Sequence, residues 1–97
     1  LSFLIAEFSR CSANPPDTTP IEWRYIMEYA SKNEIGWLPW VWWCCSDPAD
    51  IHSITTDKIY GHWNNPPWGE EVAITNRYNI KNTAVRPQSI IKATTKF

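Results

Sequence analysis

The first six residues, Leu1–Ser2–Phe3–Leu4–Ile5–Ala6, are an apolar run with no helical period, and a carboxylate, Glu7, stops it. Such a run reads as a buried strand. Phe8–Ser9–Arg10–Cys11 follow, then a loop over 12–19 rich in Pro, Asn, Asp and Thr. Thr19–Pro20–Ile21–Glu22 carries the marks of a helix start. Thr19 is the expected N-cap, Pro20 occupies the first helical position where a missing N–H costs nothing, and Glu22 closes a capping box. The helix is expected to reach Lys32 or Asn33. Ile21, Tyr25, Ile26, Tyr29 and Ala30 form its expected buried stripe, with Arg24, Glu28 and Lys32 as a solvent-side ladder at i,i+4 spacing.

After a short turn through Glu34, Gly36–Trp37–Leu38–Pro39–Trp40–Val41–Trp42–Trp43 reads as a second buried strand. Strand, helix and strand make a βαβ unit, which predicts parallel pairing with a right-handed crossover. Pro39 predicts a local irregularity, because proline cannot donate to a sheet ladder. Residues 44–67 read as a long loop with breakers at Asp47–Pro48 and Asn64–Asn65–Pro66–Pro67, of the length that is usually functional or carries small elements. Pro67–Trp68–Gly69–Glu70–Glu71 opens a last helix, expected to end at Ile74 or Thr75. Beyond it the chain is polar, with apolar anchors at Ile80, Val85, Ile90 and Ile91.

Charge and composition narrow the function classes. Nine basic and ten acidic residues give a net charge of −1, and the basic ones are scattered, so nucleic acid is not an expected partner. The longest uncharged apolar stretch, 35–45, is far shorter than the ~20 residues that span a bilayer, so no membrane partner is expected. Cys11, Cys44 and Cys45 form no CxxC pair. They read as loop or strand-end thiols in preference to a metal site with His52 or His62, and a bridge from Cys11 to the 44–45 pair remains open as an alternative. The glycines, Gly36, Gly61 and Gly69, are too few and too scattered for a phosphate loop, and no cofactor is expected. Seven tryptophans, at 23, 37, 40, 42, 43, 63 and 68, exceed what one small core needs. Tryptophan commonly lines sites for flat, partly apolar ligands, and sugars present such faces.

Glu7 carries the most chemical information. At the end of an apolar strand in a parallel sheet it lies on the carboxyl edge, where active sites gather, and a carboxylate there needs a partner or a use. A neighbouring Arg10 is the structural alternative. Trp40 and Trp42 share one strand parity, while Trp37 and Trp43 take the other and are expected to pack against helices. Trp23 is expected at the helix–sheet boundary, and Trp63 and Trp68 at either the cleft rim or the core. His52 and His62 read as solvated or capping, and Asp47, Asp50 and Asp57 as cleft-entrance or solubilising residues.

Ile5–Ala6–Glu7–Phe8–Ser9 resembles the "GEFG" strand-seven motif of glycoside hydrolase family five. Ile26–Met27–Glu28–Tyr29–Ala30 and Ile35–Gly36–Trp37–Leu38–Pro39–Trp40–Val41–Trp42 are similar to the "IMxYA…IGWLAWSW" stretch of β-mannanases in that family. Trp63–Asn64–Asn65 with Pro67–Trp68–Gly69–Glu70 resembles the "W…LTxWG" approach to the last helix, and Asn79–Ile80–Lys81–Asn82–Thr83 the "GIKxTS" after it. The chain departs from the pattern at Ser9 and Pro39, where the family has small residues, and at Trp43–Cys44–Cys45, where it has "KGN".

The resemblance implies an α/β fold, the carboxy-terminal fragment of a (β/α)8 barrel from strand seven to helix eight, over 1–86 with a tail at 87–97. A whole barrel takes about 250 residues, and a chain that opens on an apolar run without a leader reads as a piece of one. The resemblance further implies a retaining hydrolase of a β-1,4-linked polysaccharide, mannan or glucan, secreted as befits a polymeric substrate. Glu7 becomes the nucleophile, and Trp40, with Trp42 as its alternative, the sugar platform; Trp63 joins them as a substrate-binding residue. The acid/base glutamate has no counterpart here and must come from the missing amino-terminal part of the barrel, the implied protein partner. The rival is a non-catalytic carbohydrate-binding module with exposed Trp residues; such modules are mostly β-sandwiches, against which the capped helix argues. A third reading is an interaction fragment whose aromatic surface meets another chain.

Overall fold

A computed structural model describes residues 3–13, 16 and 18–85. The expected tail at 87–97, with Ile90 and Ile91, lies outside the described residues. The first strand, β1, covers Leu4–Phe8, the helix α1 Trp23–Lys32, and the second strand, β2, Gly36–Pro39. The two strands pair in parallel as the only members of their sheet among the described residues. After the long loop comes α2, Trp68–Glu70, which passes directly into a π-helical turn over Glu71–Thr75. A last short helix, α3, covers Ile80–Thr83. The molecule is thus a small mixed α/β structure.

The helix α1 starts three residues later than the capping signal places it. Residues 10–20 use that signal otherwise: Cys11 and Pro20 form an antiparallel bridge, Ser12 N donates to Thr19 O at 2.9 Å and Ile21 N to Arg10 O at 3.0 Å. Backbone pairing across the loop outcompetes the cap, and Glu22 becomes an N-cap with no side-chain hydrogen bond. The end is as expected. Glu34 takes the left-handed conformation, φ 56°, and Ile35 N reaches back to Ala30 O at 2.8 Å, the closing bond of a Schellman motif.

The buried stripe of α1 is Trp23, Met27 and Ala30, with Ile26 half-buried. Tyr25 and Tyr29, expected inside, are exposed and lie ring to ring at 5.9 Å on the outer face. The late start is part of the reason: it leaves Ile21 off the helix and turns Trp23 into the first anchor of the buried face. Lys32 pairs with Glu28 at 2.7 Å as the ladder predicts, whereas Arg24 turns to Glu71 in a two-pronged ion pair.

The core gathers Phe8, Trp23, Met27, Ile54, Trp68, Val72 and Ala73. Trp68 stands edge-on to both Trp23 and Phe8, at 5.1 and 6.1 Å, and its indole N–H donates to His52 O at 3.1 Å. Gly69 lies so close to the backbone of the long loop that a side chain there would collide with the carbonyl oxygens of Ile54 and Asn64. That close approach explains a glycine after Trp68. The chain between 76 and 83 is more ordered than its polarity indicates. Asn79, fully buried, caps α3 by accepting from Asn82 N at 2.8 Å and donates to Asn76 O at 2.7 Å.

The second strand ends at Pro39, four residues short of the expected Trp43. Gly36 N donates to Phe3 O and Trp40 N to Phe8 O, so even-numbered residues of this segment face β1 with their N–H groups. Pro39 is odd-numbered, and its lack of an N–H leaves this ladder intact. The irregularity falls on the partner strand instead. Between those two bonds β1 advances by five residues and β2 by four, and the register shifts between Ile5 and Phe8.

Candidate active site

That shift decides where Glu7 points. With plain alternation Glu7 would share the face of Ile5, which packs on the core. The extra residue resets the phase, so that Phe8 enters the core and Glu7 is exposed. Glu7 is the penultimate residue of β1, and its side chain makes no hydrogen bond or ion pair with another described residue, Arg10 included.

Across from it the chain leaves β2 at Trp40. Trp40 N donates to Phe8 O at 2.7 Å, and Ser9 Oγ donates to Trp40 O at 2.9 Å. Both polar groups of the Trp40 backbone are therefore held by the two residues that follow Glu7. Ser9 is itself buried. The Trp40 ring remains 46 % exposed, while Trp37, of opposite parity, packs edge-on against Phe8 at 5.7 Å. The two rings differ in exposure as their opposite parity predicts, although the ring that Trp37 meets belongs to β1 and not to a helix.

Trp42 and Trp63 come together elsewhere on the surface. Their rings meet edge-to-face at 6.0 Å, and Tyr60, which sequence reasoning passed over, joins both, at 6.5 Å from Trp42 and 5.0 Å from Trp63. The segment 55–63 builds this cluster. Thr55 and Trp63 form a bridge, and the Trp42 indole N–H donates to Lys58 O at 2.9 Å, which fixes the ring and leaves it 39 % exposed. Trp42, Tyr60, Ala73, Ile80, Lys81 and Ala84 line a cavity of about 440 Å³ beside it. Trp40 has no ring contact with this group among the described residues. Trp43 does not pack against a helix as its parity predicts. It lies under Lys58, whose ammonium is 4.3 Å from its ring centre, and its N–H donates to Thr56 O. Strand geometry has ended by then, so parity no longer applies.

Both histidines of the long loop are paired with aspartates, whereas Asp47 is exposed. His62 holds Asp57 at 2.7 Å, and this hydrogen bond keeps the Asp57 carboxyl below the ordinary carboxylate range. His52, expected to be solvated or capping, is buried, with Nδ1 2.7 Å from Asp50 Oδ1 and Nε2 3.5 Å from Cys11 Sγ. Of the three aspartates expected at the cleft entrance or as solubilising groups, Asp50 and Asp57 are thus engaged by histidines. Cys44 and Cys45 are bonded to each other, which corrects the alternative of a bridge to Cys11; Cys11 keeps its thiol. Among the described residues no His, Cys, Asp and Glu side chains group so as to hold a metal ion, and no helix is long and apolar enough to cross a membrane.

Comparison with known proteins yields no matching family model, curated protein or solved structure.

Proposed function

We propose that this chain is the strand-seven to helix-eight portion of a (β/α)8 barrel, and that its parent is a secreted retaining glycoside hydrolase acting on a β-1,4-linked mannan or glucan. Glu7 attacks the anomeric carbon to form a glycosyl-enzyme. A second carboxyl group, brought by the amino-terminal part of the barrel at ~5–5.5 Å, protonates the leaving oxygen and then activates water. Trp40 stacks on the sugar at the cleavage point, and Trp42 and Trp63 on units further along. The supporting observation is the outward turn of an unpaired Glu7 on a parallel strand whose next two residues clamp an exposed Trp40. The ordered motifs of the sequence agree with it.

The test is Glu7→Gln in the protein joined to its amino-terminal barrel portion, assayed on soluble β-mannan and β-glucan. The amide keeps the shape and cannot attack, so turnover is expected to fall on the order of 10⁴-fold with sugar affinity and melting temperature retained. Activity within tenfold of the parent removes Glu7 from the nucleophile role. A carbohydrate-binding module, favoured by the exposed ring faces of Trp40 and Trp42, predicts binding without turnover in both proteins. Its usual β-sandwich is unlike the parallel sheet and helices described here.

A further inference from the structure

Three side chains from two distant stretches of sequence meet inside the molecule in a fixed order. Asp50 Oδ1 lies 2.7 Å from His52 Nδ1 and 2.9 Å from His52 N. A carboxylate only accepts, so the ring proton sits on Nδ1 and the lone pair on Nε2. That nitrogen faces Cys11 Sγ at 3.5 Å. The thiol proton has one other acceptor among the described residues, Ala13 O, also at 3.5 Å.

Each member is held from behind. The carbonyl of His52 accepts from the Trp68 indole at 3.1 Å and from Val41 N at 3.0 Å, which fixes the base of the imidazole against the core. Asp50 N donates to Cys44 O at 2.6 Å, and Asp50 O accepts from Asn64 and Asn65. Cys11 is tied by its bridge to Pro20. Carboxylate, imidazole and thiol in this sequence, with the imidazole oriented by the acid, is the arrangement that activates a nucleophile in unrelated folds. A cysteine that merely filled space would need neither an oriented base nor an acid behind that base.

We propose that Cys11, His52 and Asp50 form a relay that makes Cys11 a nucleophile toward small uncharged electrophiles. Cys11 is 8 % exposed and His52 9 %, which admits a small reagent and bars a bulky one. With iodoacetamide the thiol proton passes to His52 Nε2 as the sulfur attacks the methylene carbon. The S–C bond forms, the C–I bond breaks, iodide leaves with its electron pair, and the imidazolium returns its proton to water. Asp50 steadies the positive ring throughout. This chemistry is independent of Glu7 and of any sugar.

The experiment follows carbamidomethylation of Cys11 by peptide mass in the full chain, without reductant so that Cys44–Cys45 stays closed. In the native protein the rate is expected to exceed that of the same chain in urea by at least about tenfold, and native His52→Gln is expected to lose most of that advantage, the scale on which a positioned base acts. Asp50→Asn is expected to lose part of it. A native rate below the urea rate overturns the proposal, because a thiol reached only through opening of the fold reacts more slowly when folded. It is equally overturned by a His52→Gln variant with an unchanged circular dichroism spectrum and the parental rate. Should that variant not fold, the native-against-urea comparison on the parent chain decides alone.

Discussion

Two sets of tryptophans divide the molecule. Trp68 stands edge-on to Trp23 and Phe8, and Trp37 edge-on to Phe8, around the core, whereas Trp40 and Trp42 stay partly exposed while hydrogen bonds hold them in place. The inner set shows what large rings contribute through area and shape. In the outer set the anchoring falls on polar atoms, the indole N–H of Trp42 and the backbone of Trp40, and much of the apolar ring surface stays exposed even where Tyr60 lies against Trp42. Rings held by polar atoms while part of their surface stays exposed are compatible with the proposed role of Trp40 and Trp42 as sugar platforms.

The largest stability difference should separate these sets. Trp68→Ala removes a ring that touches two aromatics and a hydrogen bond to His52 O, and is expected to cost ~3–5 kcal/mol in chemical denaturation. Trp40→Ala is expected to cost under ~1 kcal/mol, because its backbone bonds survive the change, yet to weaken oligosaccharide binding in titrations of tryptophan fluorescence. Trp37→Ala should behave like Trp68→Ala, with lost stability and little direct effect on sugar. Equal costs at positions 37 and 40 would erase the division.

Next in size is Gly69→Ala. The added methyl meets the carbonyl oxygens of Ile54 and Asn64, so the helix carrying Trp68 must lift from the loop, at an expected cost of ~1–3 kcal/mol in the same assay. A neutral result would mean that the contact between α2 and the loop yields, and that the inner set is less tightly framed than described.

The smallest effect sits on the outside of the core. Arg24 grips Glu71 with two nitrogens, and this bond holds the Glu71 carboxyl below the ordinary carboxylate range. A carboxyl lowered in the folded state stabilises above its unfolded value, near 4.3, and that contribution disappears as pH falls through the lower folded value. With Arg24 largely exposed, Arg24→Gln is expected to cost under ~1 kcal/mol at neutral pH. The gap between variant and parent in melting temperature should close as the solution is acidified below pH ~4. A gap that persists there would assign the loss to Arg24 stacking over Trp23 instead.

Local signals carried far along this chain, and their limits are physical. Two strands, their parallel pairing, the end of α1 and the helical stretch from Trp68 to Thr75 follow from apolar runs, turn chemistry and the βαβ rule, whereas α3 lies in a polar segment that carried no such signal. The start of α1 did not, because Thr19 and Pro20 entered a backbone pairing with residues 10–12 that no local signal reveals. The same late start contributes to the exposure of Tyr25 and Tyr29. The partners of His52 were hidden by distance: Cys11 lies 41 positions away, and only the folded loop brings them together. Tyr60 had one legible sign, its place three residues before Trp63, but its ring contacts depend on the bridge from Thr55 to Trp63.

The register shift between Ile5 and Phe8 makes β1 sensitive to length in a way that side-chain identity does not capture. Faces along a strand alternate like a two-beat count, and this strand holds one extra beat before Phe8. Deleting Ala6 would restore the plain count, with Ile5 and Phe8 both kept on the core side and the carboxylate between them on the outer one. A single-codon deletion here would therefore leave the face of every residue upstream of Glu7 as it is, whereas an insertion of one residue elsewhere in the strand would invert those faces.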